Sequence, residues 1–158
     1  MQHPYAPISF AGGTLGAQRH MCAFFYSRDE EYRVLLPFIK EGFERGEKAY
    51  RLGDPALRED HLRRLTEAGI DVGGAQARGQ FEFKPWEEAQ FRPGYFDQDQ
   101  MISLIDELLE SAKQQGYPLS RLVGRMEWAL QDRPGVDDVV EFETRVNATL
   151  SLRPDPVI

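Results

Sequence analysis

The segment 20–52 constrains the fold most strongly, because two apolar runs flank a helical pattern within it. Residues 21–26 read Met-Cys-Ala-Phe-Phe-Tyr, a nearly continuous apolar run that is typical of a strand covered on both faces. Ser27 and Glu30 then have the Ser-x-x-Glu spacing of a helix start, and Gly46 is placed to end that helix. We therefore expect a strand–helix–strand unit whose first strand is central in the sheet.

Further helical patterns alternate with short apolar runs along the rest of the chain. They predict a helix from Asp54-Pro55 to Gly69, a Gly73-Gly74 loop, a strand over 80–83, a helix over 97–116, a strand over 122–130 and a last helix after Gly135. Strands that alternate with helices in this way indicate an α/β fold, a three-layer, mostly parallel sheet flanked by helices with right-handed crossovers.

The two ends of the chain lack such a pattern. Residues 1–19 contain scattered glycine and proline, so we expect a flexible or loosely docked leader, followed by one domain over 20–158. Only Val157 and Ile158 are apolar after the last helix. Either the last strand of such a fold is missing there, or these two residues lie on a sheet edge.

The composition narrows the class of protein. The 158 residues are 41% hydrophobic and carry a net charge of −7, with acidic and basic residues interspersed. This charge argues against a nucleic-acid or anionic-membrane surface. The single cysteine excludes an internal disulfide, and no apolar run approaches the roughly 20 residues of a membrane span. We expect a cytoplasmic protein.

Several short motifs, taken in order, resemble those of one known family. They are 20–22 (His-Met-Cys), Tyr26, 36–42 (Leu-Pro-Phe-Ile-Lys-Glu-Gly), 46–47 (Gly-Glu), 69–72 (Gly-Ile-Asp-Val), 79–81 (Gly-Gln-Phe), 95–97 (Tyr-Phe-Asp), 124–128 (Gly-Arg-Met-Glu-Trp) and 142–143 (Phe-Glu). With this order and spacing, residues 19–158 resemble the MEDS domain, the sensory domain named after methanogens, methylotrophs and the dichloromethane-responsive regulator DcmR.

The resemblance implies a sheet related to the RecA and KaiC ATPases that has lost its nucleotide machinery. It also implies a role in sensing small hydrocarbon-derived molecules. In this chain 27–30 (Ser-Arg-Asp-Glu) stands where the phosphate loop of those ATPases would be. Its two acidic groups would repel phosphate and no glycine-rich nest is present, so we expect no nucleotide and no other cofactor.

The candidate ligand-binding residues lie near the predicted strand ends and in the aromatic loop 91–96. His20, Cys22 and Tyr26 share one face of the predicted first strand. The candidates are His20, Cys22, Tyr26, Trp86, Tyr95, Phe96, Arg125, Glu127 and Trp128. Aromatic side chains with a few polar groups suit a pocket for a small organic molecule, and they suit core packing equally well.

Several of these residues have a second interpretation. His20 and Cys22 could bind a metal if Glu127 joined them, or His20 could be a hydrogen-bonded core residue. A carboxylate on a predicted interior strand is costly unless it is paired, so Glu127 should have a partner. The candidates are Arg125, Arg51 and His20. The acidic runs 29–31 and 137–138 are interpreted as solvated helix starts.

We expect a non-enzymatic sensory domain that binds a small organic molecule and signals through a partner protein or self-association. Its pocket should lie at the carboxyl ends of the strands, lined by Tyr26, Trp86 and Trp128. One alternative is a protein-interaction module that uses the aromatic loop 91–96 as its contact surface. Another is an enzyme that uses His20 and Glu127, which would require both side chains to reach one open cavity.

Overall fold

A parallel three-stranded sheet forms the centre of the computed structural model, which describes residues 6–158. The strands are β3 (Lys48–Gly53), β4 (Phe81–Pro85) and β5 (Ser120–Gly124), in the order β4-β3-β5. All six residues of β3 are buried. Ala49 pairs with Phe81 on one side and with Arg121 on the other, so β3 is the central strand.

Helices cover both faces of this sheet. They are α1 (Arg28–Glu44), α2 (Arg58–Glu67), α3 (Val72–Ala77), α4 (Gln98–Gln114) and α5 (Val139–Leu150). Alternate strand residues enter two separate cores, because side chains alternate across a strand. Tyr50 and Leu52 pack with α4 and α5, whereas Ala49 packs with α1, α2 and α3. The predicted mixed α/β fold with a parallel sheet flanked by helices is therefore confirmed.

The first helix begins and ends where its sequence signals predict. The Ser27 hydroxyl accepts a hydrogen bond from the Glu30 amide at 3.1 Å, and the Glu30 carboxylate accepts from the Tyr26 amide at 2.7 Å. Gly46 follows the helix with a φ of 71°, the left-handed conformation that glycine adopts without strain. Pro37 lies inside α1 without ending it.

The prediction of a central strand over residues 21–26 is wrong. This segment runs along the edge of the sheet and forms no strand, and only His20 makes a bridge, to Val157. Its even-numbered side chains face solvent, with Phe24 95% exposed and Tyr26 fully exposed, whereas Met21, Ala23 and Phe25 pack against the core. Only one side of the apolar run is covered, so it cannot occupy the middle of a sheet.

The C-terminal residues extend the sheet beyond β5. Val157 bridges Leu122 on one side and His20 on the other, and the Val157 amide donates to the Arg19 carbonyl at 2.8 Å. Val157 therefore lies between β5 and the segment at His20, which forms the outer edge of the sheet.

Two further predicted elements differ from the structure. The strand predicted over 122–130 ends at Gly124, and Glu127–Leu130 forms a 3-10 turn. The predicted Gly73-Gly74 loop lies inside α3, which begins there because the Asp71 carboxylate accepts a hydrogen bond from the Gly74 amide at 3.0 Å.

A hairpin precedes the segment at the sheet edge. It consists of β1 (Ile8–Phe10) and β2 (Gly13–Leu15), and Ile8, Phe10 and Leu15 are buried, with β1 against α1. Residues 1–5 of the expected flexible leader 1–19 lie outside the described part of the chain, and the hairpin within it is not predicted from the sequence. Among residues 6–158, no helix has both the length and the apolar character needed to cross a lipid bilayer.

Candidate functional site

A cavity of about 560 Å³ lies beside the carboxyl ends of β3 and β5. Its wall is predominantly apolar, with side chains from both cores, among them Leu35, Leu52, Met101, Ile105, Leu122 and Phe142. The cavity reaches the surface, because the exposed residues Phe24 and Leu130 also line it. The volume lies in the range of small-molecule pockets, and pockets of α/β sheets are commonly found at the carboxyl ends of the strands.

Buried ionised groups stand in this apolar wall. The Glu31 carboxylate joins two guanidinium groups, since its Oε1 accepts from Arg51 Nη2 at 2.6 Å and its Oε2 lies 3.3 Å from Arg125 Nη2. Arg125 also pairs with Glu127. Burial, reinforced by the charge of Arg51, lowers the pKa of Arg125, and the opposite charge of Glu31 counters this shift. The network therefore contains two arginine cations, Arg51 and Arg125, and two carboxylates, Glu31 and Glu127.

The network leaves hydrogen-bonding capacity unused. Among residues 6–158, three buried polar atoms of cavity-lining residues have no hydrogen-bond partner: Arg51 Nη1, Gln90 Oε1 and Glu127 Oε2. The first is a donor and the other two accept. Unpartnered buried polar atoms are costly, so a molecule that supplies their partners would gain affinity here.

A second polar cluster lies on the same cavity wall, where segment 20–22 meets α5. Glu143 Oε2 lies 3.2 Å from His20 Nε2 and accepts a hydrogen bond from Cys22 Sγ, also at 3.2 Å. The other imidazole nitrogen, His20 Nδ1, lies 2.9 Å from Asn147 Oδ1. Cys22 is exposed, so the cluster is in contact with solvent.

Burial and the contacts within this cluster shift the pKa values of its three ionisable side chains. Burial lowers the pKa of His20, but its hydrogen bonds to Glu143 and Asn147 outweigh burial, so the net pKa is raised. Burial raises the pKa of Glu143, but hydrogen bonds from His20 and Cys22 make the net pKa lower. Burial, followed by the contact with Glu143, raises the pKa of Cys22 to about 11. His20 and Glu143 therefore favour the ion pair and Cys22 the neutral thiol.

The structure brings some of the candidate residues to the cavity and places the others elsewhere. Those that line it are His20, Cys22, Arg125 and Glu127. His20 and Glu127 thus share one cavity, as the enzyme alternative requires, but they contact different partners. The partner of Glu127 is Arg125, one of those predicted. His20 contacts Glu143, which the sequence indicates only as part of the family motif 142–143 and not as a site residue.

The expectation that Tyr26, Trp86 and Trp128 line the cavity is wrong. Tyr26 points into solvent, and Trp128 is fully buried between Phe91 and Phe96, with ring centroids 5.0 and 4.8 Å away. Edge-to-face and tilted contacts with these rings therefore make the tryptophan part of the core. Trp86 and Phe96 are buried in the same core, and Tyr95 is half exposed outside the cavity lining.

Two acidic residues of this site were missed by the sequence analysis. Glu31 is only 5% exposed, so the interpretation of 29–31 as a solvated helix start is wrong at that position. Its spacing of four residues before Leu35 places it beside the apolar stripe of α1, which is the signal that could have found it. Glu143 follows the inward-facing Phe142, and nothing in the sequence connects it with Cys22, 121 residues away.

Comparison with known proteins identifies the class of domain. Residues 19–157 match the family described as MEDS, the MEthanogen/methylotroph, DcmR Sensory domain. The chain therefore belongs to the MEDS family, which confirms the resemblance.

One curated protein is also similar in sequence to the chain. The chain is similar to the transcriptional repressor DcmR of Methylorubrum extorquens, with 26% identity over 148 residues, which is 94% of this chain and 53% of the relative. The chain thus spans about half the length of that relative. No solved structure matches the chain, and the relation to RecA and KaiC stays a prediction.

Proposed function

We propose that this chain is a non-enzymatic, cytosolic sensory domain that binds a small organic molecule in the cavity beside β3 and β5. The observation that carries the proposal is the cavity itself, about 560 Å³ in volume, mostly apolar and reaching the surface. Membership of a sensory-domain family supports this assignment. Binding would be transmitted by changes in the cavity wall, which includes parts of α1, α4 and α5.

The cavity suits a molecule with an apolar body and at least one oxygen. The apolar wall favours a hydrocarbon portion, whereas Arg51 Nη1 could donate to a hydroxyl, carbonyl or carboxylate oxygen. A hydroxyl hydrogen could be accepted by Gln90 or Glu127. A saturated hydrocarbon of the same size would leave these atoms unpartnered and should bind more weakly.

The response to the molecule would pass to another protein or to a second copy of the chain. The similar DcmR is a transcriptional repressor about twice as long as the matched region, so a role in transcription regulation would depend on parts of a larger assembly. We propose no direct contact with nucleic acid, because the chain has a net charge of −7.

The proposal is tested by thermal unfolding of the full chain against short-chain alcohols, aldehydes, carboxylates and halogenated alkanes. A compound that binds only the native state at a hundredfold excess over its Kd adds about 2.7 kcal/mol to the free energy of unfolding. Ala129→Phe places a ring at the cavity wall and should abolish this gain. Ala148→Phe, on the exposed side of α5, is the matched control that should retain it.

A lack of stabilisation by every compound would contradict the small-molecule proposal and favour the second candidate, a protein-interaction module. The fully exposed Tyr26 and nearly fully exposed Phe24 support this candidate, because large exposed apolar side chains often mark protein contacts. The aromatic loop 91–96 does not support it, since Phe91 and Phe96 are buried.

A further inference from the structure

Three potential metal ligands converge at the sheet edge, and we propose that His20, Cys22 and Glu143 form a site for Zn²⁺ or a similar divalent ion. Their ligand atoms, one from each side chain, all lie within 4.8 Å of one another. Nitrogen, sulfur and carboxylate oxygen are the ligands that zinc binds in proteins. This site uses Glu143 in place of Glu127, which pairs with Arg125 instead.

The imidazole of His20 is oriented as in a metal site. Asn147 donates through Nδ2 to the Glu143 carbonyl at 3.0 Å, which leaves Asn147 Oδ1 to face His20 Nδ1. Because an amide oxygen only accepts, Nδ1 carries the hydrogen and the lone pair of the neutral ring is on Nε2. Nε2 faces Glu143. Asn147 is therefore a positioning residue, comparable to the hydrogen-bond partners that fix metal-binding histidines elsewhere.

The two contacts made by Glu143 require little rearrangement to accept an ion. Glu143 Oε2 lies 3.2 Å from both His20 Nε2 and Cys22 Sγ. Around a tetrahedral zinc ion these pairs would be separated by about 3.4 to 3.6 Å, given ordinary zinc–ligand bond lengths. These two contacts thus need to open by a few tenths of an ångström, and the His20 and Cys22 ligand atoms lie within 4.8 Å of each other. The ion would take the place of the Cys22 thiol proton and of the proton between His20 and Glu143, and both protons would pass to solvent.

Three protein ligands leave a tetrahedral ion one further position. Because His20, Cys22 and Glu143 also line the cavity, this position could take water or a polar group of a molecule bound there. Metal entry needs no opening of the fold, since Cys22 is exposed. The ion would link segment 20–22 to α5. Metal binding does not depend on the proposed sensory function and is measured without an organic ligand.

The full chain is titrated with Co²⁺, followed by Zn²⁺ in competition with a chromophoric chelator. We expect one equivalent to bind and a thiolate-to-cobalt charge-transfer band in the near ultraviolet. Cys22→Ser should remove that band, and Cys22→Ser, His20→Gln and Glu143→Gln should each weaken Zn²⁺ binding at least tenfold.

Two further variants distinguish Zn²⁺ binding at this site from nonspecific attraction of the ion to surface carboxylates. Asn147→Ala should keep the charge-transfer band but weaken Zn²⁺ binding about 10- to 100-fold, as loss of a positioning contact does. Glu141→Gln removes an exposed carboxylate from the same helix and should change neither the charge-transfer band nor the Zn²⁺ affinity. The proposal is overturned if the wild-type protein shows no charge-transfer band, or if Cys22→Ser and His20→Gln bind Zn²⁺ as tightly as wild type.

Discussion

Glu31 and Arg51 form an ion pair inside the protein, with Glu31 Oε1 accepting from Arg51 Nη2 at 2.6 Å and both side chains almost fully buried. Arg125 reaches the other oxygen of the same carboxylate. A single acidic residue of α1 therefore bridges two cations at the cavity wall, one of which, Arg125, also pairs with Glu127. Buried pairs of this kind add little stability as a whole, but loss of one partner is costly because it leaves a charge unpaired.

Glu31→Gln should therefore destabilise the fold strongly. The substitution leaves Arg51 and Arg125 without their shared counter-ion, and we expect a loss of about 3–5 kcal/mol in the free energy of unfolding. Urea denaturation measures this loss. Asp29→Asn, two residues earlier, breaks an exposed ion pair with Arg64 and should change stability by less than about 1 kcal/mol. Equal effects of the two substitutions would contradict this account of Glu31.

His61 should make stability depend on pH. Its Nδ1 lies 2.7 Å from the Tyr32 hydroxyl, and burial, followed by the charges of Arg51 and Arg125, lowers its pKa to about 3. The unfolded chain, with a histidine pKa of about 6.5, therefore takes up a proton below that pH that the folded protein does not. Stability is then lost on acidification, by up to about 1.4 kcal/mol per pH unit.

The measurement is the free energy of unfolding between pH 6.5 and 5, in wild type and in His61→Phe. The variant should lose less stability over this window. The raised pKa of His20 affects stability at higher pH, where stability is lost as pH rises. The lowered pKa values of Asp60 and Glu143 affect stability at lower pH, below the range of this measurement. Parallel pH profiles for wild type and His61→Phe would show that His61 is not the origin of the slope.

Gly42→Ala should destabilise α1 although alanine is the better helix former. A Cβ at Gly42 would lie 2.7 Å from Cδ and Nε of Arg121, whose side chain is buried and bonded to Glu47. We expect the displacement to cost about 1–3 kcal/mol, more than the gain in helix propensity. Gly73→Ala in α3 meets no atom within 4 Å and should be neutral or stabilising. Urea denaturation of both variants tests this difference in sign.

Trp128 and Tyr26, both predicted as ligand contacts, should behave differently on substitution. Trp128→Ala removes a fully buried ring from the core and should lower the free energy of unfolding by about 3–5 kcal/mol. Tyr26→Ala removes an exposed ring and should have an effect within about 0.5 kcal/mol. Urea denaturation measures both variants, and a loss of less than about 1 kcal/mol for Trp128→Ala would contradict the placement of this residue.

The sequence predicts local structure well wherever a chemical signal marks it. Ser27 and Glu30 locate the start of α1, Gly46 its end, and the apolar residues of β3 the second strand. The error at 21–26 has a physical origin, because an aromatic run has the same composition whether one face or both are covered. Whether the segment is a central strand depends on which other segments cover its two faces, and no local sequence pattern specifies them.

The site is less predictable than the fold. His20, Cys22, Arg125 and Glu127 were found because polar residues near apolar runs stand out. Glu143 belongs to the site only because α5 crosses the sheet edge next to Cys22, and this contact joins residues far apart in the chain. Trp128 was misplaced because a tryptophan is equally suited to a core and to a pocket wall.

The most direct test of ligand binding in the cavity is methyl NMR of protein labelled with ¹³C at its methionine methyl groups. Three of the four methionines, Met21, Met101 and Met126, line the cavity. We expect a stabilising compound from the panel to shift these three signals saturably, and to shift none of them in Ala129→Phe. Signals that stay unchanged with every compound, or that shift equally in Ala129→Phe, would contradict the account.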